Sequence, residues 1–142
     1  MVLAATNRPW DIDEAIRRRL EKRIYIPLPT EKGRLELFKI NLRSVDLSNE
    51  NGGIDWEYLT KVSEGYSGAD ITCVCREASM MPLRRKLAST GFDISNIAGM
   101  HEEIAIPLTM ADFKEALKNI QKSVSQEQLT AYSDWMKTFG SV

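Results

Sequence analysis

The sequence predicts a short α/β segment followed by an all-α bundle. Three observations carry this. Strand-forming runs are confined to the start of the chain, at residues 2–5 and 23–29. From Thr30 onward the apolar residues recur at helical spacing. Each of those later runs follows a Ser, Thr or Asp suited to cap a helix.

Taken in order, residues 2–5 are apolar and are ended by Thr6-Asn7-Arg8-Pro9, which reads as a buried strand and a turn. A brief helix is expected from Asp11, with Asp11 as its cap and Glu14 completing a capping box. It runs into Arg17-Arg18-Arg19. Residues 23–29 hold Ile24, Tyr25 and Ile26, then Pro27 and Pro29, whose missing amides end any ladder. They read as a second strand leaving into a loop. Two strands alone make a poor sheet. The first thirty or so residues are therefore expected to be weakly held, and the part from about Thr30 well ordered.

The helical starts are legible. Thr30 precedes Leu35, Leu37, Phe38, Ile40 and Leu42. Asp55 precedes Tyr58, Leu59 and Val62. Ser67 with Asp70 forms a capping box before Ile71, Val74, Cys75 and Ala78. Thr109 with Asp112 opens another before Phe113, Leu117 and Ile120. Ser125 with Gln128 opens the last, before the stripe Leu129, Tyr132, Trp135, Met136 and Phe139. That stripe reads as core-facing, with a partner-binding surface as the alternative. Residues 48–53 and 89–105 read as loops.

Composition bounds the function classes. The chain has 142 residues, 43% apolar and 27% charged, as an ordinary soluble globular domain has. A net charge of -1 gives no global argument for nucleic acid or a membrane surface. No apolar run reaches the length of a membrane span, and the start is too short and uncharged for a signal peptide. Cys73 and Cys75 lie two apart, so on a helix they point to different faces and cannot bridge. With the single His101 distant, they form no metal set. They read as small half-buried side chains in a reducing compartment.

Residues 3–20, LAATNRPWDIDEAIRRRL, resemble the second region of homology of the AAA ATPases. The continuation EKRIYIPLP is similar to the group containing katanin, spastin, fidgetin and the sorting ATPase that dismantles membrane filaments. GYSGADI at residues 65–71 looks like the sensor-2 region of that group. The resemblance implies a split AAA module. Residues 1–29 would supply the last two strands of a five-stranded parallel sheet. Residues 30–122 would be the helical lid subdomain, and 123–142 a C-terminal helix that folds back. ATP would sit between the subdomains, at the interface with the next subunit of a ring.

The same resemblance assigns roles. Asn7 takes the sensor-1 position, orienting the attacking water; a neutral amide can donate and accept at once. Without the resemblance, a turn asparagine is the reading. Arg18 and Arg19 take the arginine-finger positions, stabilising the charge of a transferring phosphoryl group on the neighbouring subunit. Arg17 is left structural, and a solvated basic cluster is the alternative for the whole run. Gly68 and Ala69 would lie against adenine and ribose, where small residues admit close approach. Leu37 and Asn41 would also face the nucleotide, with core packing the equal alternative for Leu37. Asp70 reads as a cap. Arg84-Arg85-Lys86 reads as a solvated face rather than a tubulin contact.

Two motifs are missing from the chain. No Gly-Lys pair exists to form a phosphate-binding loop, and no apolar strand ends in Asp-Glu. No hydrolysis of ATP by this chain alone is expected, with Mg2+ held by an N-terminal part and Met1 an internal methionine of a longer frame. Residues 70–81 and the end of the chain are most similar to katanin, while Arg8 and Pro82 are closer to spastin and fidgetin. Residues 88–106 are too few for the β-rich insertion of the sorting ATPase. The implied activity is ATP-dependent microtubule severing. The implied partners are other AAA subunits in a hexamer, tubulin and a regulatory subunit, at the cytoplasmic microtubule cytoskeleton. The alternative is a non-catalytic truncated module that docks on full-length subunits through Arg18, Arg19 and the C-terminal stripe.

Overall fold

The computed structural model describes residues 2–49, 52–90 and 106–141. Among them are a 3-10 turn at Pro9–Asp11 and six helices: α1 (Glu14–Arg19), α2 (Glu31–Asn41), α3 (Trp56–Val62), α4 (Gly68–Thr90), α5 (Met110–Asn119) and α6 (Gln126–Phe139). They form two compact units, Met1–Pro27 with Val124–Val142, and Leu28–Ser123. No described helix is long and apolar enough to cross a membrane.

The later helices start where their caps predict. Thr30 Oγ1 accepts from the Gly33 amide at 3.3 Å, and Asp55 Oδ1 from the Tyr58 amide at 2.9 Å. Reciprocal boxes join Ser67 to Asp70 (2.8 and 3.2 Å) and Ser125 to Gln128 (2.9 and 3.2 Å). The first helix differs from expectation: Asp13, not Asp11, caps α1, accepting from the Ala15 amide at 2.8 Å. Pro9 pre-sets a 3-10 turn that takes in Asp11, whose amide donates to the Arg8 carbonyl at 3.1 Å. Asp11 is thereby spent on an ion pair with Arg8. At the other end, α4 runs on to Thr90 and carries Pro82 inside it, so Ser89 belongs to a helix rather than a loop. The rest of the loop expected at 89–105 lies outside the described residues, apart from Thr90.

The two expected strands do not form. Neither 2–5 nor 23–29 has a ladder partner among the described residues. A strand is a pairing, and its backbone groups need a neighbour to exchange hydrogen bonds with. Val2, Leu3, Ile24 and Ile26 are 83%, 89%, 82% and 85% exposed. Among the described residues the β-pairing that occurs is a single parallel bridge between Leu47 and Leu108. There the Ser48 amide donates to the Leu108 carbonyl and the Leu108 amide to the Asp46 carbonyl, at 2.9 and 2.8 Å.

The Leu28–Ser123 unit has a hydrophobic core. α4 packs on α2 and α5, and α2 packs on α3. Phe38, Leu59, Ile71, Leu108 and Phe113 are fully buried, with Phe38 and Phe113 edge to face at 6.4 Å. Each such side chain contributes about 1.5–3 kcal/mol by burial. Buried Arg34 fastens α2 to α3, donating twice to the Thr60 carbonyl (3.1 and 2.8 Å) and once to that of Pro29 (3.1 Å).

The other unit is held by α6, and no residue of that helix is fully buried. Tyr132 lies between Trp10 (5.3 Å) and Tyr25 (6.0 Å). Arg17 stacks over the Phe139 ring at 4.5 Å. Arg23 donates to the carbonyls of Phe139 and Arg17 at 2.6 and 2.8 Å. Ser141 Oγ donates to the Glu21 carbonyl at 2.8 Å. The apolar stripe of α6 thus packs within its own unit.

Candidate functional site

The candidate residues divide between the units. Asn7, Arg18 and Arg19 belong to one, and Leu37, Asn41, Gly68 and Ala69 to the other.

Asn7 lies in the turn before the 3-10 segment. Its side chain is exposed and makes no hydrogen bond among the described residues, so its amide is open to a ligand. Its backbone is fixed instead. The Tyr132 hydroxyl donates to the Asn7 carbonyl at 2.6 Å, and the following Arg8 amide donates to Thr6 Oγ1 at 3.0 Å.

The three arginines diverge as their helical spacing requires. Arg17 turns to Phe139. Arg18 pairs with Glu14 one turn earlier at 2.6 Å, with both side chains mostly in water. Such a pair is weak and easily exchanged for a better anion. Arg19 is exposed and has no ion pair among the described residues. Both guanidinium groups are therefore presented at the end of a short helix and able to meet an anion.

In the helical unit, Leu37 and Gly68 come together. A β-carbon on Gly68 would lie 3.8 Å from Leu37 Cδ1, an ordinary contact, so the glycine leaves room beside its backbone. Leu37 is half-buried against the core, and Ala69 is exposed. Asn41 Nδ2 donates to the Leu37 carbonyl at 2.7 Å, leaving Asn41 Oδ1 as an acceptor. Leu37 and Gly68 are thus neighbours, with the Asn41 acceptor one turn further along α2.

Asp70 is a cap, as its sequence position predicts. It is buried, and Oδ2 accepts from the amides of Ser67 and Ser123 (2.8 and 3.3 Å) and from Ser123 Oγ (3.0 Å). Burial pushes its carboxyl up, but the hydrogen bonds from Ser67 and Ser123 outweigh this and hold it below the ordinary 3.8. Tyr66 adds a second tie, donating to the Ile120 carbonyl at 2.8 Å.

Sequence reasoning missed several contacts. Arg85 is not merely solvated: it pairs with the buried Asp112 of α5, while Arg84 pairs with Glu77. Tyr132 was legible only as part of an apolar stripe. Its hydroxyl was the one signal that it does more than fill space. A cleft of about 850 Å³ beside Asp55, Trp56, Thr109 and Lys114 contains none of the predicted residues. No group of residues suited to a metal ion occurs among those described.

Comparison with known proteins gives the chain's relatives. Residues 53–96 match the AAA+ lid domain, and residues 94–140 match the Vps4 C terminal oligomerisation domain. The katanin p60 A-like 1 ATPase of Danio rerio is 58% identical over 143 residues, covering 100% of the chain. The Homo sapiens counterpart is also 58% identical, over 99% of the chain. The chain spans 28% of the length of these relatives. Among solved structures, the FIGL-1 AAA domain in complex with ADP superposes with a TM-score of 0.79 at 34% identity, covering 96% of this chain and 44% of that one. A chain solved to explain katanin self-assembly gives 0.79 at 33% identity, covering 91% and 44%.

Proposed function

The chain is katanin-like along its whole length and carries the AAA+ lid and Vps4 C terminal oligomerisation domains; from that premise we propose that it serves ATP-dependent microtubule severing. It contributes the water sensor Asn7, the arginine fingers Arg18 and Arg19, and the nucleotide lid at Leu37, Asn41, Gly68 and Ala69. The observation that carries the reading is the 58% identity to katanin p60 proteins across the whole chain.

The local geometry is compatible with each role. Asn7 has an unengaged amide, the kind of group that can accept from a water and donate to a phosphate oxygen. Arg19 is unpaired among the described residues and Arg18 is held only by an exposed pair, so either can swing to a phosphoryl group of a neighbouring subunit. In this reading Leu37 and its neighbour Gly68 would meet the face of a purine, and the Asn41 Oδ1 acceptor would meet an exocyclic amine. ATP supplies the phosphoryl group and the free energy of its transfer. Mg2+ would be held by residues N-terminal to this segment in the intact ATPase. The partners proposed are further AAA subunits in a hexameric ring, tubulin as substrate, and a regulatory subunit, at the cytoplasmic microtubule cytoskeleton.

The test replaces the matching segment of human katanin p60 A-like 1 with this chain. ATP turnover and the severing of fluorescent microtubules are then measured. Turnover and severing close to the parent are expected. Arg19→Ala should lower turnover about a thousandfold with ring assembly intact. A chimaera that assembles but neither hydrolyses ATP nor severs would favour the non-catalytic docking module instead.

A further inference from the structure

We propose that Tyr132 is a positioning residue for Asn7, so that the C-terminal helix α6 sets the aim of the water sensor. The proposal rests on the sensor reading of Asn7 given above.

The Asn7 side chain has no hydrogen-bond partner among the described residues. The backbone therefore sets the point and the Cα–Cβ direction from which it departs, within the staggered rotamers open to it. Three anchors fix that backbone. Two are local: the Arg8 amide on Thr6 Oγ1, and the Asp11 amide on the Arg8 carbonyl. The third spans 125 residues, from the Tyr132 hydroxyl to the Asn7 carbonyl at 2.6 Å. It is the shortest of the three.

Tyr132 is itself held by two ring contacts. Trp10, three residues beyond Asn7, packs against its ring at 5.3 Å, and Tyr25 at 6.0 Å. The ring thus touches both the sensor turn and the segment after the arginines, and its hydroxyl is directed at the sensor's carbonyl. Packing alone requires only the ring. The hydroxyl adds direction, and a peptide plane held by its carbonyl fixes the Cα–Cβ bond from which the amide extends. An amide that orients a water must be held to within about 0.5 Å and 10–20°. A misplacement of about 1 Å can cost about a hundredfold in rate.

The experiment uses the chimaeric ATPase and three variants: Tyr132→Phe, Asn7→Ala and the double variant. Tyr132→Phe keeps the ring between Trp10 and Tyr25 and removes only the donor. It should lower kcat about 10- to 100-fold, leave KM for ATP unchanged, and leave assembly and thermal midpoint unchanged. In the Asn7→Ala background it should cost nothing further, because there is no sensor left to aim. A parent-like kcat for Tyr132→Phe overturns the proposal while Asn7→Ala still costs activity, and the sensor reading then survives. A full additional loss in the Asn7→Ala background also overturns it, since Tyr132 would then act through structure and not through Asn7. Parent-like turnover for Asn7→Ala removes the sensor reading itself and the proposal with it.

Discussion

Asp112 serves two helices at once. Oδ2 accepts from the Thr109 amide and hydroxyl at 2.9 and 2.7 Å, closing the cap of α5, while Oδ1 receives the Arg85 guanidinium from α4. The carboxylate is 5% exposed and the arginine 55%. This asymmetry decides the mutational outcome. Asp112→Ala removes a cap and strands the Thr109 amide, and should cost about 2–3 kcal/mol. Arg85→Ala leaves the carboxylate still hydrogen-bonded at Thr109 and removes a half-exposed cation, so it should cost about 1 kcal/mol or less. Urea denaturation of both variants compares them. Equal losses would mean that the ion pair, not the cap, carries the energy.

Asp70 makes a pH prediction. Its folded carboxyl is held below the ordinary value, so the folded state binds its proton less readily than the unfolded chain does. Its contribution is fully present above about pH 4 and is lost as the pH falls through the folded value. Asp70→Asn should therefore be less stable than the parent at neutral pH and lose less stability on acidification. Ser123→Ala, which removes one of the donors, should move part of the way in the same direction. Urea midpoints at neutral pH and at about pH 3 measure both. An acid loss in Asp70→Asn equal to the parent's would assign the effect to other carboxylates.

Most of the helical unit could be read from caps and periodicity, because the forces that set it are local. Thr30, Asp55, Ser67, Thr109 and Ser125 all stand at the helix starts they mark. Each satisfies amides a few residues away, so sequence spacing alone locates it. The first unit was less legible because its determinants are distant. Arg23 and Tyr132 reach partners more than 100 residues away, and spacing carries no trace of that. The strand reading of 2–5 and 23–29 failed for the same reason: β-propensity reports a surface that suits a neighbour, not the presence of one. Asp11 was displaced as a cap by Pro9, whose fixed φ starts a turn too early for the simple pattern. For the candidate site, residue types alone left a turn asparagine, a basic cluster and two small residues. Their proposed roles came from the pattern of motifs.

The cysteines should differ sharply in reactivity. Cys73 is exposed, whereas burial pushes the Cys75 thiol up to about 12. At pH 8 only about one Cys75 thiol in ten thousand is ionised, and the thiolate is the nucleophile. Iodoacetamide on the folded chain should therefore add one label quickly, at Cys73, with a second appearing only on unfolding. Peptide mass spectrometry over time reads this directly. Two labels added at similar rates would show that the α4 face carrying Cys75 opens readily.

Gly140 is where a single methyl group should matter most. Its amide donates to the Met136 carbonyl at 2.8 Å, closing α6. Its φ is -64°, so its backbone is one that any residue adopts. Space is the constraint: a β-carbon there would collide with the Met136 carbonyl oxygen and stand 2.7 Å from Met136 Cε. The methyl of Met136 can swing away, but the carbonyl is part of the helix. Gly140→Ala must therefore open the last turn of α6 or displace Ser141, which bonds to Glu21 and Arg23. A cost of about 1–3 kcal/mol is expected. Gly33→Ala is the control. There the new carbon would meet Pro29 Cβ at 3.4 Å, an ordinary contact inside a helix, and stability should rise by about 0.4–1 kcal/mol. Thermal melts give both signs, and amide exchange at Arg23 reports whether the Ser141 tie is lost. A Gly140→Ala chain as stable as the parent, with the Arg23 amide still protected, would mean that α6 can end one residue earlier without loosening its hold on the start of the chain.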